Sequence, residues 1–415
     1  MFMIIRLLIA ICSAVVAILG LQLVAFAQVT TTLGGPVRFM KRTLTDRYFC
    51  DGINTGDFNH DGKPDIVAGP YWYEGPSFEK RHEFYPAVAL PPEKSPSNSM
   101  FSYVWDFSGD GSDDILVLGR VHLHEAYWYE NPAARAKAAS PAAHWPKHSV
   151  FERIRGESPP FVDLDRDGRP ELVCHWLDRW GLLKFGPKAP QKPWQFEPAT
   201  ERETIDQFYH GTGIGDVNGD GRLDLVTNDG WWEQPASRES KPWTKHAFRF
   251  AKRGGAQMFA YDVDGDGDAD IITSLDAHGW GLAWFEQFQE NGNSTFREHK
   301  IMDDRTEEAK YGVAFTQPHA LAMADIDRDG LQDIVVGKRR WAHGPKGDIE
   351  PNAAPVLYWF RLIRKSDKRP SFEPHLIDAQ SGVGVQITVA DVDLNGKPDI
   401  LTASKLGTFV FLQGK

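Results

Sequence analysis

A nine-residue acidic segment recurs seven times along this 415-residue chain, and such repetition restricts the fold to architectures assembled from stacked copies of one small unit. The copies are DFNHDGKPD from Asp57, DFSGDGSDD from Asp106, DLDRDGRPE from Asp163, DVNGDGRLD from Asp216, DVDGDGDAD from Asp262, DIDRDGLQD from Asp325 and DVDLNGKPD from Asp391. Each is followed by a β-branched run such as Asp65-Ile66-Val67, the pattern of a buried strand leaving a tight turn. Each is preceded by a short small-residue or alternating segment such as Gly213-Ile214-Gly215, so the acidic loop joins two strands. Downstream comes an aromatic strand, as in Tyr71-Trp72-Tyr73-Glu74 or Trp231-Trp232-Glu233. A fourth segment then carries an aromatic and a histidine: His82, His148, His246, His299 or His375. Four strands per unit of about 45 to 65 residues predicts an all-β, seven-bladed β-propeller with four antiparallel strands per blade.

The chain ends refine that expectation. After Asp399 there is room for only two strands, 399–403 and 408–412, whereas Val37 to Leu44 has the character of the missing fourth. An N-terminal strand joining the last blade closes the ring and leaves no inner edge unpaired. An open solenoid is the alternative, and it needs terminal caps that the sequence does not show. Residues 1–27 carry Arg6, an apolar run and Ala25-Phe26-Ala27 before Gln28, the pattern of a secretory signal cleaved after Ala27. The expected product is a single domain, 28–415, that is secreted or periplasmic with no membrane span after cleavage. An uncleaved anchor is the alternative, because the run is long enough to span a bilayer. Cys50 and Cys174 fall in different repeats and read as small buried hydrophobes rather than a disulfide.

Carboxylates or amides at positions 1, 3, 5 and 9, with glycine at 6, set several hard oxygens around one point, a donor set for calcium. The ligand positions are Asp57, Asn59, Asp61, Asp65; Asp106, Ser108, Asp110, Asp114; Asp163, Asp165, Asp167, Glu171; and Asp216, Asn218, Asp220, Asp224. The remaining three loops supply Asp262, Asp264, Asp266, Asp270; Asp325, Asp327, Asp329, Asp333; and Asp391, Asp393, Asn395, Asp399. Up to seven Ca²⁺ sites follow, weakest where Ser108 or Asn395 replaces a carboxylate. The formal charge of −11 argues against a nucleic-acid partner. It is concentrated in these loops, since 24 of the 57 acids occupy ligand positions, leaving 33 against the 45 basic residues that follow Arg6.

The loops and their β-flanks resemble the FG-GAP and VCBS repeats of integrin α-subunit propellers and of many secreted bacterial proteins. The resemblance covers roughly residues 37–415 and implies the propeller fold and calcium in the loops. With its tryptophan-rich third strands the chain also looks like bacterial relatives of the aldos-2-ulose dehydratase propeller, without the cupin domains that accompany it. Calcium-binding propeller lyases acting on rhamnogalacturonan are similar in a looser sense.

If the acidic loops take one face, a site at the opposite mouth is built from residues just before the first strands and just after the second. Those positions supply His210, His319, Glu157, His175, Lys338 and Arg339 as candidate catalytic residues. His210 or His319 is the expected base, with Lys338 or Arg339 stabilising enolate-like charge in a lyase or dehydratase. His210, His319, His175 and Glu157 are also a donor set for zinc. Trp176, Trp231, Asp229, Asp276, His278 and Trp280 are the expected substrate contacts, flat rings and polar groups suited to a sugar. Two readings stay open: a carbohydrate-active propeller that binds or cleaves a sugar or polysaccharide, and a non-catalytic adhesion module with a protein partner.

Overall fold

The computed structural model describes residues 37–94, 96–119, 125–132, 144–237, 242–366 and 368–414; the expected leader, 1–27, lies outside the described residues. Apart from a 3-10 turn at Arg305–Glu307 and a helical turn at Glu308–Tyr311, the described elements are all strands. No helix among them is long and apolar enough to cross a membrane. Each acidic loop joins the first and second strands of an antiparallel meander, the aromatic segment forms the third strand and the histidine segment the fourth. In the Asp57 repeat these are Asn54–Gly56, Asp65–Ala68, Tyr71–Tyr73 and Arg81–Glu83, hydrogen-bonded in that order. The result is an all-β propeller arrangement.

Counted as separate four-stranded sheets there are five blades, not the seven expected, because eight further strands share one sheet. The fusion has a local cause. Thr212–Ile214 pairs in parallel with Gln257–Phe259, joining the Asp216 and Asp262 repeats edge to edge. Only glycine permits that approach: a Cβ on Gly213 would lie 2.0 Å from the Met258 carbonyl oxygen, and one on Gly215 2.4 Å from Ala260 Cβ. The strand Phe39–Thr45 pairs antiparallel with Gly407–Gln413, in the same sheet as Ile387–Ala390 and Asp399–Ser404.

The apolar clusters run between repeats. Phe107, Leu116 and Trp128 of one repeat pack with Leu172, Leu183 and Trp194 of the next, and each such buried side chain contributes about 1.5–3 kcal/mol. The recurring histidines are part of this scaffold. His82, His148, His246, His299 and His375 stack on Trp72, Trp128, Trp231, Trp284 and Trp359 at 4.0 to 4.5 Å between ring centres. Trp231 is therefore a packing residue and not the sugar contact expected of it: it is buried, with His246 against its face. Cys50 and Cys174 are free and buried.

The ninth residue of six of the seven loops has a second duty that its spacing did not reveal. Asp224 accepts the Val217 N–H at 3.0 Å on one oxygen and the Gln234 N–H at 2.9 Å on the other, tying the loop to the end of the third strand. Asp65, Asp114, Asp270, Asp333 and Asp399 do the same, all fully buried. Removing such an acceptor strands two backbone donors, each costing about 1–3 kcal/mol. Asp224→Ala should accordingly lose about 2–6 kcal/mol in urea denaturation of the calcium-free protein. Asp220→Ala, at an exposed loop position, should lose well under half of that.

Candidate functional site

The acidic loops gather carboxylate oxygens. Asp163, Asp165, Asp167 and Glu171 each bring an oxygen within 4.8 Å of the others, as do Asp262, Asp264 and Asp270, and Asp325, Asp327 and Asp329. The first aspartate accepts the N–H groups of positions 5 and 6, as Asp57 does from Asp61 at 3.1 Å and Gly62 at 2.9 Å. That curls the loop around its own side chains. Buried Asp327 Oδ1 has no hydrogen-bond partner, an orphan that a cation would satisfy. A donor set of oxygens alone fits calcium.

A cavity of about 880 Å³ holds the second cluster and is lined in part by Glu157, His210, Asn228, Asp229, Asp276, His278, Arg339 and His343. Glu157 stands before the strand Phe161–Val162 and His210 before Thr212–Gly215; His319 lies within Pro318–Ala324. His278 and Arg339 follow the second strands Asp270–Ser274 and Asp333–Lys338. Left-handed turns at Gly156 (φ 92°) and Gly211 (φ 86°) swing the chain beside Glu157 and His210. Glu157 Oε2 lies 3.1 Å from His210 Nε2 and 3.6 Å from His319 Nε2, and His278 Nε2 is 3.1 Å from His210 Nε2. One donor atom from each of these four residues falls within 4.8 Å of the others.

Hydrogen bonds aim the rings. His210 Nδ1 is 2.6 Å from the Phe208 carbonyl, a contact in which Nδ1–H donates and Nε2 is left to face the cluster. His319, 1% exposed, has no partner at Nδ1. Burial, with Arg339 beside it, pushes His319 well below the ordinary histidine range, so it is a neutral donor. Burial opposes the charged form of Glu157, yet His210, His319 and Arg339 hold its carboxyl well below the usual carboxylate range. Arg339 donates from Nη1 to His319 Nε2 at 3.0 Å, and its Nη2 is 3.4 Å from Asp51 Oδ1. Asp51 is pinned by the Tyr48 hydroxyl at 2.7 Å and the Ser97 hydroxyl at 2.8 Å. Three histidines and a glutamate around one point fit a borderline divalent ion such as zinc, with His319 Nε2 exchanging the bond from Arg339 for the ion.

Several expected site residues stand elsewhere. His175 does not join the cluster: it lies between Trp180 and Tyr209, both ring nitrogens lack partners, and burial lowers its pKa to about 4. His278, expected as a substrate contact, takes the place foreseen for it. Lys338 is no charge stabiliser at the mouth, because its fully buried ammonium is bonded to Thr316. Burial lowers its pKa to about 8. Trp176 and Trp280 are half-buried outside the cavity lining, with Arg155 and Arg305 over their respective rings. Asp229 and Asp276 do line it, Asp229 held by Tyr209, Thr227 and Lys245. No signal in the sequence marks Asp348. It lies in the long connection after Lys338 and binds His343 Nδ1 at 2.8 Å, with His278 Nδ1 3.6 Å away.

A model of the FG-GAP-like repeat family matches residues 262–336. No curated protein matches. Among solved structures the chain is similar to the crystal structure of the V. cholerae biofilm matrix protein Bap1, at 14% identity and a TM-score of 0.32, over 86% of this chain and 45% of that one. It thus spans less than half the length of that protein. Rhamnogalacturonan lyase YesW is similar at 12% identity and a TM-score of 0.42, over 90% of this chain and 72% of that one. Likeness this remote says nothing of what the chain binds. The matched repeat sits among meanders of the same design, which supports an FG-GAP-like β-propeller.

Proposed function

We propose that this is an exported, calcium-stabilised propeller of seven blades whose channel mouth holds a zinc-like ion and acts on a carbohydrate. The eight-stranded sheet counts as two blades, since it divides at the parallel seam into two complete meanders. Ring closure is supported by bonds between the last repeat and the first: Thr388 Oγ1 donates to the Ile53 carbonyl at 2.7 Å, and Val385 N–H to the Asp51 carbonyl at 3.0 Å. The observation that carries the functional reading is the convergence of Glu157, His210, His278 and His319 from four repeats, the first three of them lining the cavity. Such a donor set is costly to bury unless it binds something.

A divalent ion held there would supply Lewis acidity toward a sugar carbonyl or hydroxyl. Arg339, anchored by Asp51, is placed to hold developing oxyanion charge. His343 lines the same cavity with Asp348 bonded to its Nδ1, leaving Nε2 as the proton acceptor of a positioned pair. A cavity of about 880 Å³ suits one or two sugar rings. Elemental analysis of the purified chain, followed by calorimetry against neutral and acidic sugars, tests the reading. Zinc-class metal beside calcium, with sugar binding lost when that metal alone is chelated, is the expected result. Calcium alone and no sugar binding would favour the adhesion module.

A further inference from the structure

Resting on the metal reading of the mouth, we infer that Ser158, Gln257 and Gln386 are positioning residues that hold the backbone beneath His210, His319 and Asp51. Each stands five residues before the first aspartate of its acidic loop, at Asp163, Asp262 and Asp391 respectively. Each accepts an N–H from a neighbouring repeat. Thr212 N–H donates to Ser158 Oγ at 3.0 Å, Leu321 N–H to Gln257 Oε1 at 2.8 Å, and Ile53 N–H to Gln386 Oε1 at 3.2 Å. These three N–H groups lie two residues after His210, His319 and Asp51, which is roughly 7 Å along an extended chain. A clasp at that point sets how far each of those side chains reaches toward the cluster.

The clasp at Gln257 extends further. Its Nε2 donates to the Val385 carbonyl at 2.8 Å, and the Val385 N–H donates to the Asp51 carbonyl at 3.0 Å. His319 and Asp51 are thereby joined twice: by Arg339 between their side chains, and by Gln257 and Val385 between their backbone segments. Gln386 reaches a third repeat, since its Oε1 also accepts the Ser102 N–H at 3.0 Å and its Nε2 donates to the Ser102 carbonyl at 3.0 Å. Another buried amide, beside the acidic loops, joins repeats away from the cavity lining. Gln287 Nε2 donates to the carbonyls of Val217, at 3.1 Å, and Ala269, at 3.2 Å. It therefore distinguishes holding repeats together from aiming metal ligands.

The test is Co²⁺ titration of the full chain in saturating calcium, read by calorimetry and by the visible absorption of the bound ion, with a thermal melt of each variant. Gln257→Leu strands the Leu321 N–H and the Val385 carbonyl. Its Co²⁺ affinity should fall by about 10–100-fold, the loss typical of residues that orient ligands, and the absorption bands should change. Gln287→Leu should bind Co²⁺ as the wild type does, whatever it loses in melting temperature. If Gln257→Leu does not fold, Ser158→Ala should weaken Co²⁺ by about tenfold. Wild-type affinity and bands in whichever of these two mouth variants folds, or equal weakening in Gln287→Leu, overturn this inference alone. A wild type that binds no Co²⁺ overturns the metal reading beneath it.

Discussion

Removing calcium with EGTA should lower the melting temperature by on the order of 15 °C. A ligand that binds only the folded state stabilises it by about 2.7 kcal/mol per site at a hundred times its dissociation constant, and this chain offers several such loops. For a domain of this size each kcal/mol moves the midpoint by roughly 1–2 °C, below the range for smaller domains. The effect should grow with pH. In the metal-free chain, burial raises the ninth-position acids to about 6 at Asp65 and Asp399 and about 7 at Asp114, Glu171, Asp224, Asp270 and Asp333. Unfolded, they titrate near 4. The folded state therefore holds more protons between about pH 4 and 7, and metal-free stability is lost as pH rises through that window. Calcium, which needs the carboxylates ionised, becomes more effective over the same interval. Melts at pH 5 and pH 7.5, with and without EGTA, check both points. A gap between the two melts that stays below about 3 °C at pH 7.5 would end the calcium reading.

The second large effect separates His278 from His175. His278→Ala should reduce zinc-class metal retention by at least about a hundredfold, since even residues that merely orient ligands are worth 10–100-fold. His175→Ala should leave metal content unchanged, because His175 packs on Trp180 and Tyr209 away from the cavity lining. Asp348→Asn, which disturbs only the partner of His278 and His343, should fall between them, at about tenfold. Metal content after dialysis against a weak chelator reads all three. Equal metal in His278→Ala and wild type would remove the proposed centre.

Much of this was legible in the chain because repetition makes single residues interpretable. Seven aspartates at matching offsets announced the loops, and the five histidines in step with the repeat stack on tryptophans. The mouth was harder. Offsets from the motif placed His210, His319 and Glu157 in one region, but they could not tell His175, turned into the interior, from His278, turned into the cavity. That choice depends on where a loop bends after its strand, and local spacing does not encode it. Asp348 escaped for the same reason: it lies in a long connection with no counterpart in the other repeats. The sheet count departed from the expected seven because Gly213 and Gly215 expose backbone to a neighbour, a pairing between repeats that no pattern within one repeat can announce.

That glycine seam bears on how the molecule comes apart. Elsewhere neighbouring units meet through side chains and scattered bonds, so one can open without breaking its neighbour's ladder. Across Thr212–Ile214 and Gln257–Phe259 the backbone amides of two units are shared, and neither can fray without exposing the other's donors to water. In hydrogen-exchange measurements these two units should behave as one cooperative block with a common opening energy, while the others exchange independently.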